Sequence, residues 1–313
     1  MTPPSSDAFH EAPPAVSTAP GVRGPRVVGC VPYLNAKPLI HGLEDARTRV
    51  LLDVPSRLVG RLLDGECDVA LCSVIDACRH PQLAVVPGGG IGCAGPTWTV
   101  RLFSRVPVER IGRVHLDADS HTSVMLLRVL LAERFGLEPA TVGFDFRGGR
   151  FPEDAEAVLL IGDKVVTHPP PAGDFPFTLD LGEHWHRWTS GPFVFAAWLA
   201  RRDAALGDLP VRLAARRAAN LADAAAVDGL LDGYAASHGW PRDLARDYWT
   251  RVLRYGVGAA ELDAVRRFAE ACRRWLGRHP EAAALGPIRD PDVLPLDDTS
   301  DAPEPTPAKP VAK

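Results

Sequence analysis

The chain has 313 residues, 46% of them hydrophobic and 24% charged, which predicts about two domains of ordinary size, each with its own core. Its 35 basic and 39 acidic residues give a formal charge of −4, excluding the basic footprint of a nucleic-acid binder and a polybasic patch for anionic lipid. No stretch is long and apolar enough to cross a bilayer, so membrane insertion is not expected and the expected partner is a small molecule.

Residues 1–25 and 287–313 are rich in Pro, Ala and charged residues and offer too little apolar surface to offset chain entropy. Both are expected to be disordered tails, with the folded part at 26–286. The N-terminus has no basic start followed by an apolar core, so a cytoplasmic location is expected.

Arg26–Val31 (RVVGCV) predicts a buried strand, and Pro38–Glu44 a helix start with Pro where a missing N–H costs nothing. Val50–Val54 is a second strand. Ser56 is placed to cap the helix RLVGRLLDGE, which Gly65 ends. Asp68–Val74 returns as a strand, and after the glycine-rich Pro87–Gly95 the run 97–104 (TWTVRLFS) is again strand-like. Val114–Leu116 leads through DADSHTS into a strong helix at Val124–Phe135. Ala157–Ile161 and Phe193–Leu199 are further buried strands, and 205–278 is helical and rich in Ala and Arg. No internal repeat is visible.

Alternating β and α elements argue for mostly parallel sheets covered by helices. Two lobes are expected: 26–104 plus 193–286 with the C-terminal helices, and 105–192 inserted between them. Two crossings make a hinge and a cleft able to enclose a small ligand.

Five segments can carry chemistry at this cleft. In VPYLNAKPL (31–39) Tyr33 can wall a pocket, and Asn35 either makes a turn before Pro38 or offers an amide beyond the strand end. Ser73, in LCSVID, either caps the next helix or faces the cleft; no nucleophile elbow or His–Asp pair accompanies it. Ser120, Thr122 and Ser123 stand before a helix whose free N–H groups favour an anion. His121 beside them is a general acid or base, or merely solvated. Asp163, in LLIGDKV, either orients a substrate hydroxyl or caps the next turn. In Asp180–Trp198 three of the seven Trp residues pack the interdomain strand or line an aromatic cleft. The six cysteines form no CxxC pair and have no His cluster at ligand spacing, so they are expected to be buried thiols.

In this order, RVVGCVPYLNAKPL, DVALCSVID, GPTWTVRLFS, DSHTSV, LLIGD and DLGEHWHRWTSGPFVFAAW resemble the chorismate dehydratase family of futalosine-dependent menaquinone synthesis, over about 26–200. The resemblance implies an α/β, two-lobed fold like that of type II periplasmic binding proteins, with a hinge and interdomain cleft. It also implies loss of water from chorismate, a dicarboxylate, with no metal and no redox cofactor. The chain departs from the family at Pro32, where an acid is common, at Cys72, where a small hydroxyl residue is usual, and at Cys93 and Ala94, where Ser and Asp often precede Gly-Pro. The sister family that makes 1,4-dihydroxy-6-naphthoate, with its Ser-Pro-Cys-Pro-Asn-Asp opening, is the alternative enzyme. A small-carboxylate sensor is the alternative without catalysis.

On this resemblance Ser120, Thr122 and Ser123 hold one carboxylate, Ser73 and Thr99 contact the substrate, and Asn35 acts near the leaving hydroxyl or the side-chain carboxylate. The proton acceptor is the substrate's own enolpyruvyl carboxylate or Asp163. The resemblance carries no expectation for the oligomeric state.

Overall fold

The computed structural model describes residues 24–117, 119–146 and 149–295. The chain first lays down β1 (Arg26–Cys30), β2 (Thr48–Leu52), β3 (Val69–Ser73) and the long β4 (Leu83–Cys93). It then crosses over and forms β5 (Val100–Ser104), β6 (Arg113–Asp117), β7 (Ala140–Phe144), β8 (Ala157–Ile161) and β9 (Phe177–Asp180). It returns as β10 (Phe193–Arg201) and ends its strands with β11 (Leu253–Arg254). The helices are α1 (Lys37–Ile40), α2 (Pro55–Leu63), α3 (Val74–Arg79), α4 (His121–Phe135), α5 (Lys164–Thr167), α6 (Leu181–Thr189), α7 (Leu209–Asn220), α8 (Ala224–Tyr234), α9 (Arg242–Asp247) and α10 (Ala259–Arg278).

Two sheets result, ordered β11-β4-β10-β3-β1-β2 and β7-β6-β8-β5-β9. Both sheets are mixed rather than mostly parallel. β1 pairs in parallel with β2 and β3, and β6 with β7 and β8. The strands that arrive from the other lobe, β5 and β10, pair antiparallel on both sides. Within each sheet the local order is 2-1-3-n-4, where n is the incoming strand, so the topology repeats where the sequence does not.

β5 hydrogen-bonds to β8 and β9. The crossing therefore lies at 94–99, before Val100, and not after residue 104 as expected. The apolar run 97–104 gave no sign of the break, because both sheets offer a buried slot for such a strand.

The C-terminal boundary also moves. Residues 287–295 are held by the first lobe: Arg289 N–H donates to Cys78 O, Val85 N–H to Asp292 O, and Leu294 N–H to Val85 O. Ile288 is buried. The composition suggested a disordered tail here, yet backbone pairing along β4 and one buried apolar side chain suffice to fix it. The expected disorder of 1–23 and 296–313 lies outside the described residues.

The glycines of β4 let it lie close to β10. A Cβ at Gly90 would stand 2.4 Å from Ala196 O. Ser56 does not cap α2, which begins after Val54 with no side-chain cap. Its N–H donates instead to Asp119 O in the other lobe.

Candidate functional site

The parallel strands β1 and β3 end on the face where the lobes meet, as does β6 from the other side. There the lobes line a narrow cavity of about 50 Å³. Tyr33 and Asn35 reach it from the loop after β1, Ser73 from the end of β3, Ser120 and Ser123 from the start of α4, and Thr97 and Thr99 from the crossing. Val31, Ile91, Ile161 and Phe195 supply apolar wall.

Two polar atoms here are left open. Asn35 Oδ1 and Ser73 Oγ are buried and have no hydrogen-bond partner among the described residues. Ser73 occupies the N-cap position of α3 but makes no cap bond, so capping does not explain its hydroxyl. An unpaired buried polar group costs about 1–3 kcal/mol, which a ligand's polar atoms would recover.

α4 brings a partial positive end to the cavity. Ser120 caps it, its Oγ accepting from Ser123 N–H at 3.2 Å and lying 3.0 Å from Ser123 Oγ. The first N–H groups of a helix have no internal partner and favour an anion.

Thr122, expected beside them as a ligand, is 0% exposed and does not line the cavity. One turn of helix points it at the first lobe, where its Oγ1 accepts from Ile75 N–H at 3.3 Å. His121 likewise turns to the other lobe, with Nδ1 2.9 Å from Asp76 Oδ1. Both are lobe-to-lobe contacts.

Asp163, expected as a catalytic group, also lies outside the cavity lining. Its carboxylate accepts from Leu34 N–H at 3.0 Å and from Trp240 Nε1–H at 3.1 Å, so it ties the second lobe to the first. Burial raises its carboxyl above the usual range, partly offset by those two donors. Positive φ at Gly162, +72°, brings the backbone against the Tyr33 ring, where a Cβ would sit 3.3 Å from it. Lys164 pairs with Asp117 and with Asp119. Burial and the charges of Asp119, Asp117 and Asp163 push the Tyr33 phenol well above its ordinary range, so it stays a neutral donor.

The three Trp residues of Asp180–Trp198 pack rather than line the cavity, which takes only Phe195 and Ala196 from this segment. Trp185 is buried against Phe193 and Phe268, because α6 turns its apolar side toward α10. The functional residue of that segment is Asp180. It caps α6 through Glu183 N–H and also accepts from Thr97 N–H at 2.9 Å and Trp98 N–H at 2.8 Å. Trp98 carries a positive φ of 62°, a conformation disfavoured for a bulky side chain. Asp180 thus holds the strained crossing that delivers Thr97 and Thr99.

Sequence reasoning missed Tyr248. It is 0% exposed, sits in a π-helical turn, Tyr248–Val252, and its hydroxyl is 2.5 Å from Thr99 Oγ1. Nothing in a helical, Ala-rich stretch set this residue apart. All six cysteines are free and buried; burial pushes the Cys93 thiol up to about 12, which leaves it inert.

A family described as menaquinone biosynthesis matches residues 27–274. A chorismate dehydratase from Thermus thermophilus is 33% identical over 196 residues, spanning 57% of this chain and 71% of the relative. A structural-genomics protein from Archaeoglobus fulgidus superposes with a TM-score of 0.59 at 18% identity, over 79% of this chain and 96% of that one. The periplasmic aliphatic sulphonate binding protein of Escherichia coli gives 0.56 at 14%, over 87% and 96%. At these identities the structures speak to the fold alone, and that fold is the two-lobed binding-protein type.

Proposed function

The chain belongs to the menaquinone biosynthesis family, and on that premise we propose that it dehydrates chorismate to 3-(1-carboxyvinyloxy)benzoate between its two lobes, as a carbon–oxygen lyase. The observation that carries this reading is the pair of unpartnered buried atoms, Asn35 Oδ1 and Ser73 Oγ, in one closed cavity.

Chorismate loses a ring hydrogen and the neighbouring hydroxyl, and the ring becomes aromatic. The drive belongs to the substrate, so the protein must hold a dianion, orient the hydroxyl and exclude water. The α4 start, with Ser120 and Ser123, holds one carboxylate. Asn35 holds the leaving hydroxyl, and Ser73 and Thr99 bear on the ring substituents. Preorganised dipoles of this kind act strongly where water is absent.

Among the described residues, no Asp, Glu, His or Lys lines the cavity. The proton acceptor is therefore the substrate's own enolpyruvyl carboxylate. It takes the ring proton as the C–O bond breaks and passes that same proton to the departing hydroxyl, which leaves as water, so the carboxylate is regenerated and the ring is left aromatic. Asp163 serves by latching the lobes. We place the enzyme in the cytoplasm, as suits a biosynthetic family.

The test is incubation of the purified chain with chorismate, followed by mass spectrometry. A product lighter by one water supports the reading. Tight binding with chorismate unchanged would favour a sensor instead.

A further inference from the structure

Asn35 can present either end of its amide to the cavity, and the two ends recognise opposite partners. An amide's orientation has to be argued from its hydrogen-bond network. Behind Asn35 a chain of hydroxyls runs inward. Thr99 Oγ1 lies 3.4 Å from Thr97 O and can only donate to that carbonyl. With that bond made, the Tyr248 hydroxyl, 2.5 Å from Thr99 Oγ1, is the donor between these two. The Tyr248 oxygen is left as an acceptor, beside the Asn35 amide. Asn35 Oδ1 has no partner among the described residues.

We infer that Tyr248 is a positioning residue: with Thr99 it takes the Asn35 NH₂ end, so that the carbonyl oxygen, an acceptor, faces the ligand. The group opposite Asn35 is therefore a hydrogen-bond donor, the substrate's hydroxyl, and not a carboxylate, which the same oxygen would repel. The carboxylates are left to α4 and Ser73. This deepens the proposed function and rests on it for the identity of the substrate.

The local build supports a fixed Tyr248. Its ring is stacked on Trp240 at 4.8 Å and faces Trp98 at 6.3 Å. The π-helical turn that carries it is of a kind found often at functional sites. Trp240 in turn donates to Asp163, so lobe closure and the placement of Tyr248 are linked.

Tyr248→Phe keeps the stacked ring and removes the hydroxyl. It is expected to lower kcat about tenfold with KM nearly unchanged, and to cause no further loss in an Asn35→Ala background. Thr99→Val, which removes the other hydroxyl of the pair, should lower kcat in the same way. Independent, multiplying losses for Tyr248→Phe and Asn35→Ala would mean a merely structural role and would overturn the inference.

A second readout needs no substrate. The chain has two asparagines, Asn35 and Asn220, so ¹⁵N-asparagine labelling gives two side-chain amide pairs in an NMR spectrum. The Asn35 protons should be protected from exchange in the wild type and lose that protection in Tyr248→Phe. If they exchange alike in both, the relay is wrong. If the wild type leaves chorismate intact, the proposed function fails while this measurement still decides the relay.

Discussion

At the residue scale the site is built from groups that fold at a loss. Asn35 Oδ1 and Ser73 Oγ are buried without partners among the described residues, which no folding argument favours. Asn35→Ala should therefore leave the unfolding free energy unchanged or slightly higher, while turnover of chorismate drops about 100-fold, the scale of losing one preorganised dipole. Urea titration and steady-state kinetics on the same preparation check both halves. The sequence placed Asn35, Ser73, Ser120 and Ser123 at the cleft, because each follows an apolar strand or precedes an apolar helix; Thr99 entered only through the family resemblance. It misplaced Thr122 and Asp163, since neighbouring positions in a helix or turn share composition but not direction. Tyr248 was invisible: its partner Thr99 is 149 residues away, and only the fold brings them together.

At the scale of elements, strand pairing corrected what composition suggested. The run Pro87–Gly95 has the glycines of a loop, yet most of it is the interior of β4. Its glycines permit close approach to β10, with Gly90 facing Ala196 O and Gly92 facing Phe193 O. Gly90→Ala should cost about 2 kcal/mol or more of stability, because backbone on the partner strand cannot yield as a side chain can. A loss under about 0.5 kcal/mol in urea unfolding would mean that β4 and β10 do not lie as described. The strands themselves were legible as apolar runs; the sheet each belongs to was not, as β5 demonstrates.

At the scale of the whole molecule, closure is fastened by contacts that alternate between lobes: Asp163 on Leu34 and Trp240, His121 on Asp76, Thr122 on Ile75, and Asp119 O on Ser56. The pH dependence of stability follows from the acids among them. Burial raises the carboxyls of Asp163 and Asp117, so each ion is harder to form in the folded chain than in the unfolded one. Stability present below the ordinary carboxylate range, about pH 4, is lost as pH rises through the raised values. Asp163→Asn should flatten that fall in Tm, with Asp117 keeping part of the slope. Because Asp45 and Asp53 shift the other way, the sign is read from the Tm difference between wild type and Asp163→Asn, and a difference that stays constant across the interval would refute it.

The two lobes were legible because apolar runs at strand spacing alternated with helical ones, and because ordered motifs resembled one family. The most direct measurement of the whole account is a crystal structure with the dehydrated benzoate product bound. The product is expected between the lobes, with one carboxylate on Ser120, Ser123 and the start of α4, the other against Ser73, and the ring edge against Asn35. Product bound elsewhere, with the interlobe cavity holding only solvent, would contradict it.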